Sequence, residues 1–201
     1  MHLAKGVPKK LLTLTLACAL LSGCGSRGAS ATDQVDEVRV SYDCMTAYTA
    51  SAAITANCSG RVYSYEADFS GDLTSGVMTV TAPDNIAGCS VSWDEGGTVL
   101  DWEQVELETG ALNGDGLSPV DAMPTILTCC TTGLLLECSL EADGSELYAE
   151  FENPENPACT ALCWFDLADH GLLRAELTSE GQTLVTLVFD SFRLESDPSS
   201  G

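Results

Sequence analysis

Lysine is missing from this sequence after residue 10. From residue 24 onward only Arg27, Arg39, Arg61, Arg174 and Arg193 oppose the acids, and all 30 Asp and Glu lie in that part. The body is therefore more negative than the whole-chain charge of −22. A surface so short of cations excludes nucleic acid and bare anionic membrane as electrostatic partners, because both require the opposite sign. Histidine is nearly absent too, with His170 alone outside the first few residues. A Ser–His–Asp triad would have to use that imidazole, and Asp169-His170-Gly171 reads as a turn between strands. The sequence lacks a Gly-x-Ser-x-Gly elbow, a phosphate loop and a His-Glu-x-x-His pattern. It also lacks an apolar run of the roughly 20 residues that span a bilayer. These absences predict a chain that is not an enzyme, with no catalytic residue, no metal site and no cofactor.

What is present begins with an address. Lys5, Lys9 and Lys10 precede the apolar run from Leu11 to Leu21, which has the length of a secretory signal core. Leu21-Ser22-Gly23-Cys24 follows in register and looks like a bacterial lipobox, in which Cys24 takes a diacylglyceryl group before cleavage on its N-terminal side. The expected organisation is a lipoprotein signal peptide over 1–23 and a lipidated Cys with a flexible tether over 24–32. A single domain over 33–195 and a disordered tail over 196–201 complete it. Two or three acyl chains on one Cys hold a protein to a membrane firmly. The expected location is thus the outer face of the bacterial cell membrane, with the protein monomeric and anchored through Cys24.

The hydrophobic content of 45% is that of a chain that buries a core. Val35, Val38, Tyr42, Met45 and Tyr48 recur at helical spacing, with Asp33 available as N-cap. The period then becomes two: Ala50, Ala52, Ile54 and Ala56, then Tyr63, Tyr65, Ala67 and Phe69 after Ser59-Gly60. Such alternation marks an antiparallel sheet with one buried face. Further short strands follow, interrupted by a helical insert that starts near Ser118-Pro119, is split by Pro124 and closes at Gly133. About eleven strands predict a mainly β (α+β) fold: one curved antiparallel sheet, an unclosed half-barrel, covered by an N-terminal helix and a short helical insert. Asn113-Gly114-Asp115-Gly116 lacks the acids of a calcium loop and reads as a turn. Arg61 and Arg174 are expected to pair with neighbouring carboxylates.

The layout carries a resemblance. A lipobox is followed by a short helix, a sheet hairpin, Ala82-Pro83 with Ile86-Ala87-Gly88, the insert Leu117-Ser118-Pro119…Met123-Pro124, and the final Phe189-Asp190-Ser191-Phe192. It resembles the outer-membrane-lipoprotein-sorting (LolA/LolB-like) superfamily. The resemblance implies an unclosed barrel whose apolar concave side holds an acyl chain or another hydrophobic ligand. On the strands the apolar alternate set would supply that face: Ile54 and Ala56, Tyr63, Tyr65 and Phe69, Phe151, Leu173 and Leu177, and Val185, Leu187 and Phe189. The opposite set, with Glu66, Asp68, Arg174 and Glu176, must face water because burying unpaired charge is too costly. A second reading has the curved face bind a protein partner, in an envelope sensor or assembly lipoprotein.

Of the 10 cysteines, Cys18 leaves with the leader and Cys24 is acylated. Cys44, Cys58, Cys89, Cys129, Cys130, Cys138, Cys159 and Cys163 remain, an even set that in an exported body suggests disulfides. Cys159 with Cys163, and Cys44 with Cys58, are pairings the spacing allows. Free buried thiols and zinc are the alternatives.

Overall fold

The computed structural model describes residues 30–58, 60–103, 105–110 and 118–196, the side chains of 58 and 106–110 excepted. The expected signal peptide, Cys24, residues 25–29 of the expected tether, the expected turn at Asn113–Gly116 and residues 197–201 of the expected tail lie outside the described residues. The chain divides into two units, Met1–Ser30 and Ala31–Gly201, and the second carries the fold below.

Helix α1 (Ala31–Asp43) leads into a long hairpin, β1 (Met45–Cys58) and β2 (Arg61–Gly71). Then come β3 (Gly76–Ala82), β4 (Ser90–Asp94), β5 (Gly97–Trp102) and β6 (Val105–Gly110). The insert is helix α2 (Ala122–Thr132), followed by β7 (Leu134–Leu140), β8 (Glu146–Glu152), β9 (Cys159–Asp166), β10 (Leu172–Ser179) and β11 (Gln182–Ser196). The strands form a single 11-stranded sheet in the order β6-β5-β4-β3-β2-β1-β11-β10-β9-β8-β7. Every described pairing is antiparallel. Edge strands β6 and β7 do not pair with each other among the described residues, so the sheet is an open half-barrel rather than a closed one.

Two boundaries differ from the sequence expectation. The helix ends at Asp43, so Met45 and Tyr48 belong to β1 rather than to the helical stripe. Both periods fit these residues, and pairing with β11 along the whole of β1 decides between them. The helix also begins at Ala31, which shortens the expected tether and puts Asp33 in the first turn, where its charge suits the helix N-terminus. In the insert, Pro124 does not split two turns. It is the third residue of α2, where a missing N–H costs nothing because the first four N–H groups have no partner in the helix.

Rows of directly paired residues share the inner face. One runs Cys138–Ala149–Cys163–Ala175–Leu187–Ile54–Tyr65 across β7, β8, β9, β10, β11, β1 and β2. Another runs Ala50–Phe69–Met78–Val91–Leu100 towards β6. Helix α1 packs on α2, β7, β8 and β11, and α2 also on β8 and β10. Between helices and sheet lie Val35, Val38, Met123, Ile126, Leu147, Phe151, Phe165 and Leu177, all buried in one hydrophobic core. Each large side chain fully buried contributes about 1.5–3 kcal/mol.

Candidate functional site

The residues predicted to line a ligand face separate into two groups. Ile54, Leu187, Phe69 and Phe189 do face inward, but they are buried in the core; Leu187 is 0% exposed. Phe189 packs edge-on against Phe192 at 5.3 Å, and Phe192 stacks on Tyr48 at 5.9 Å. These four side chains could meet a ligand only if the cover moved. Tyr65 and Tyr63 continue the same inner face along β2, and there burial fades: Tyr65 is half-buried and Tyr63 is 49% exposed.

Register explains the fading. Strand β3 pairs with β2 only from Glu66 to Gly71, so Arg61–Tyr65 project beyond it. The chain leaves β3 at Ala82 and folds into turns over 83–88. At the same end, Trp102 of β5 is directly paired with Val105 of β6, on the face that carries Leu100 and Val91. Trp102 is half-buried and Val105 is 64% exposed. Inward-facing apolar groups of three strands are thus left open at one end of the half-barrel. Sequence alternation located Tyr63 and Tyr65 but not Trp102 and Val105, whose strands are short and joined by a tight turn at Glu103, φ 50°.

On β10 the expected inward set holds at Leu177 and fails at Leu173. Leu172, Ala175 and Leu177 point inward and Leu173 does not, because the pairing with β9 shifts between Leu172 and Arg174. Arg174 faces the acids as expected, paired with Glu176 and lying over the Trp164 ring at 5.1 Å. An open groove of about 450 Å3 lies on the other face, lined by Ser51, Asp68, Ser70, Thr79, Ser191 and Arg193 among others. Its hydroxyls and charges suit an acyl chain poorly.

His170 sits in the β9–β10 turn with φ 60°. Its Nδ1 is 2.6 Å from Ser41 Oγ, and its carbonyl accepts a hydrogen bond from Tyr42 Oη at 3.2 Å. In a catalytic triad Nδ1 faces the carboxylate and Nε2 the serine. Here the serine holds Nδ1, and the contact ties α1 to the turn.

Cysteine geometry corrects both spacing-based pairings. Cys159 and Cys163 lie on one face of β9, four residues apart, roughly 13 Å at the rise of a strand. Cys44 precedes β1 and Cys58 ends it, so the 14-residue strand separates them. Neither pair can bond. Cys129 and Cys130 of α2 instead lie over β9, with Cys130 Sγ 4.0 Å from Cys163 Sγ. Burial first, then neighbouring thiols, pushes the Cys129 thiol well above its usual range. Among the described residues no group of three or more His, Cys, Asp or Glu is disposed to hold a metal ion.

Solved structures with a similar fold include a LolA superfamily protein from Nitrosomonas europaea. It is 12% identical with a TM-score of 0.45, covering 85% of this chain and 96% of that one. A putative outer membrane lipoprotein-sorting protein domain from Vibrio parahaemolyticus is 8% identical, TM-score 0.48, over 83% and 92%. The Mycobacterium tuberculosis lipoprotein LppX is 14% identical, TM-score 0.43, over 83% and 98%. The likeness is one of fold. No protein-family model and no curated protein matches the sequence.

Proposed function

We propose that this chain is an exported, non-enzymatic binding lipoprotein, held to the cell envelope through Cys24, whose half-barrel takes a hydrophobic ligand at its open end. The observation that carries the reading is the exposure of Tyr63, Tyr65, Trp102 and Val105, which all belong to the inner apolar face. Apolar groups left open inside a sheet are stabilised by an acyl chain laid across them, at about 25 cal/mol per Å2 buried. The leader and lipobox of residues 1–24 support the location.

The test is uptake of a fluorescent fatty acid by the unit Ala31–Gly201, which is compact without the anchor segment. The double variant Tyr63→Ser, Tyr65→Ser should bind roughly tenfold more weakly, about 1.4 kcal/mol, with an unchanged circular dichroism spectrum. Leu187→Glu is unsuitable for this purpose, since a charge in the core unfolds the domain. A wild type that takes up no probe, or a double variant that binds as well as wild type, ends the reading.

One feature favours a protein partner as a second reading. Strand β7 is an edge strand, and its Leu134 and Leu136 are 62% and 47% exposed. An extended segment of another protein could add to that edge. Leu134→Lys with Leu136→Lys would then abolish partner crosslinking while fatty-acid uptake persists.

A further inference from the structure

We propose that Cys130 and Cys163 form a disulfide that fastens helix α2 to strand β9 and so locks the cover onto the inner face. Cys130 lies in the second half of α2, and Cys163 lies mid-strand, flanked across the sheet by Ala149 and Ala175. Their sulfurs are 4.0 Å apart and both residues are 0% exposed. Thiols already touching across a helix–sheet interface need only side-chain rotation to approach the bonding distance of about 2.05 Å. The two small alanines beside Cys163 leave that space to the sulfurs.

The chemistry balances as thiol–disulfide exchange. Two S–H bonds break and one S–S bond forms. The two electrons and two protons pass to a disulfide-bearing oxidoreductase, which leaves as a dithiol, or to a small-molecule disulfide, which leaves as two thiols. The attacking group must be a thiolate, and in the folded core the hydrogen bond that the Cys163 thiol makes to Cys130, and then burial, raise that thiol well above its usual range. The bond therefore forms before α2 docks. Once α2 is down, neither water nor reductant reaches it. A ligand is then confined to the rim at Tyr63 and Tyr65, because the cover cannot lift from β9. The inference draws on the proposed export only for its oxidant.

The experiment uses the full chain, exported by a bacterial host and blocked with N-ethylmaleimide in denaturant before any reductant is added. Peptide mass spectrometry should find Cys130 joined to Cys163, a link that survives in Cys129→Ala and disappears in Cys163→Ala. The link closes a loop of 33 residues, so protein reduced in denaturant and refolded in reductant should have a Tm lower by roughly 10 °C. That response should persist in Cys138→Ser and vanish in Cys163→Ala. Cys130 and Cys163 both alkylated, or Cys130 joined to any other cysteine, overturns the proposal. If the chain is not exported, purified reduced protein refolded with oxidised glutathione still decides it. The same link is expected there, and its failure to form overturns the pairing independently of location.

Discussion

The hydroxyl of Tyr48 is buried and finds no hydrogen-bond partner among the described residues. Its ring, by contrast, is well placed, stacked on Phe192 with 5° between the planes. Burial above all, then the charge of Asp72, keeps the phenol protonated far into alkali. A buried donor without a partner costs about 1–3 kcal/mol, so Tyr48→Phe should raise stability by about 1 kcal/mol in urea unfolding. A loss of stability would mean that the hydroxyl is satisfied. Single residues were legible in the sequence wherever parity ran undisturbed, as at Ile54, Phe69 and Leu187. They were not legible at bulges. Phe189 and Phe192 are three apart, yet both are buried, because the β1–β11 register slips between Ser51 and Ala52 and sets Asp190 aside. No alternation rule foresees an extra residue.

Elements were legible in number and order, less so at their ends. The eleven strands and two helices follow from period and turn residues, while Met45 and Tyr48 satisfy both periods and went to the strand by pairing. The junction after α2 shows what sequence patterning leaves out. Gly133 reads as a helix C-cap, but its φ of −62° and ψ of 147° are extended backbone any residue adopts. Glycine is needed there for space: a Cβ would lie 2.5 Å from the Cys129 carbonyl oxygen and 2.9 Å from that of Glu152. The Gly133 carbonyl also accepts a hydrogen bond from Arg39, whose guanidinium lies 5.4 Å from the centre of the Phe151 ring. One junction therefore holds α1, α2, β7 and β8 together. Gly133→Ala should cost about 1–3 kcal/mol by forcing these backbones apart, read as a lower denaturation midpoint with an unchanged slope. An unaltered midpoint would show that the junction yields freely.

At the scale of the whole molecule, charge and attachment must be reconciled. A chain of net charge −22 is repelled by an anionic lipid surface, and no described helix is long and apolar enough to cross a membrane. The apolar inner face cannot serve as an anchor either, since most of it is spent in the core beneath the helices. On the function proposed above, attachment rests on residues 1–24 and, after cleavage, on Cys24. An acyl anchor holds by burial of methylene groups, each worth about 0.8 kcal/mol, and is indifferent to salt. Charge-mediated binding would weaken as ions screen it within about 10 Å at 0.1 M. Wild type should therefore stay with the membrane fraction through a wash in 1 M salt and leave it only with detergent. Cys24→Ala should appear in the soluble fraction at every ionic strength, and its intact mass should show no acyl addition. A Cys24→Ala chain that remains on the membrane and comes off with salt would place the attachment in the folded body instead.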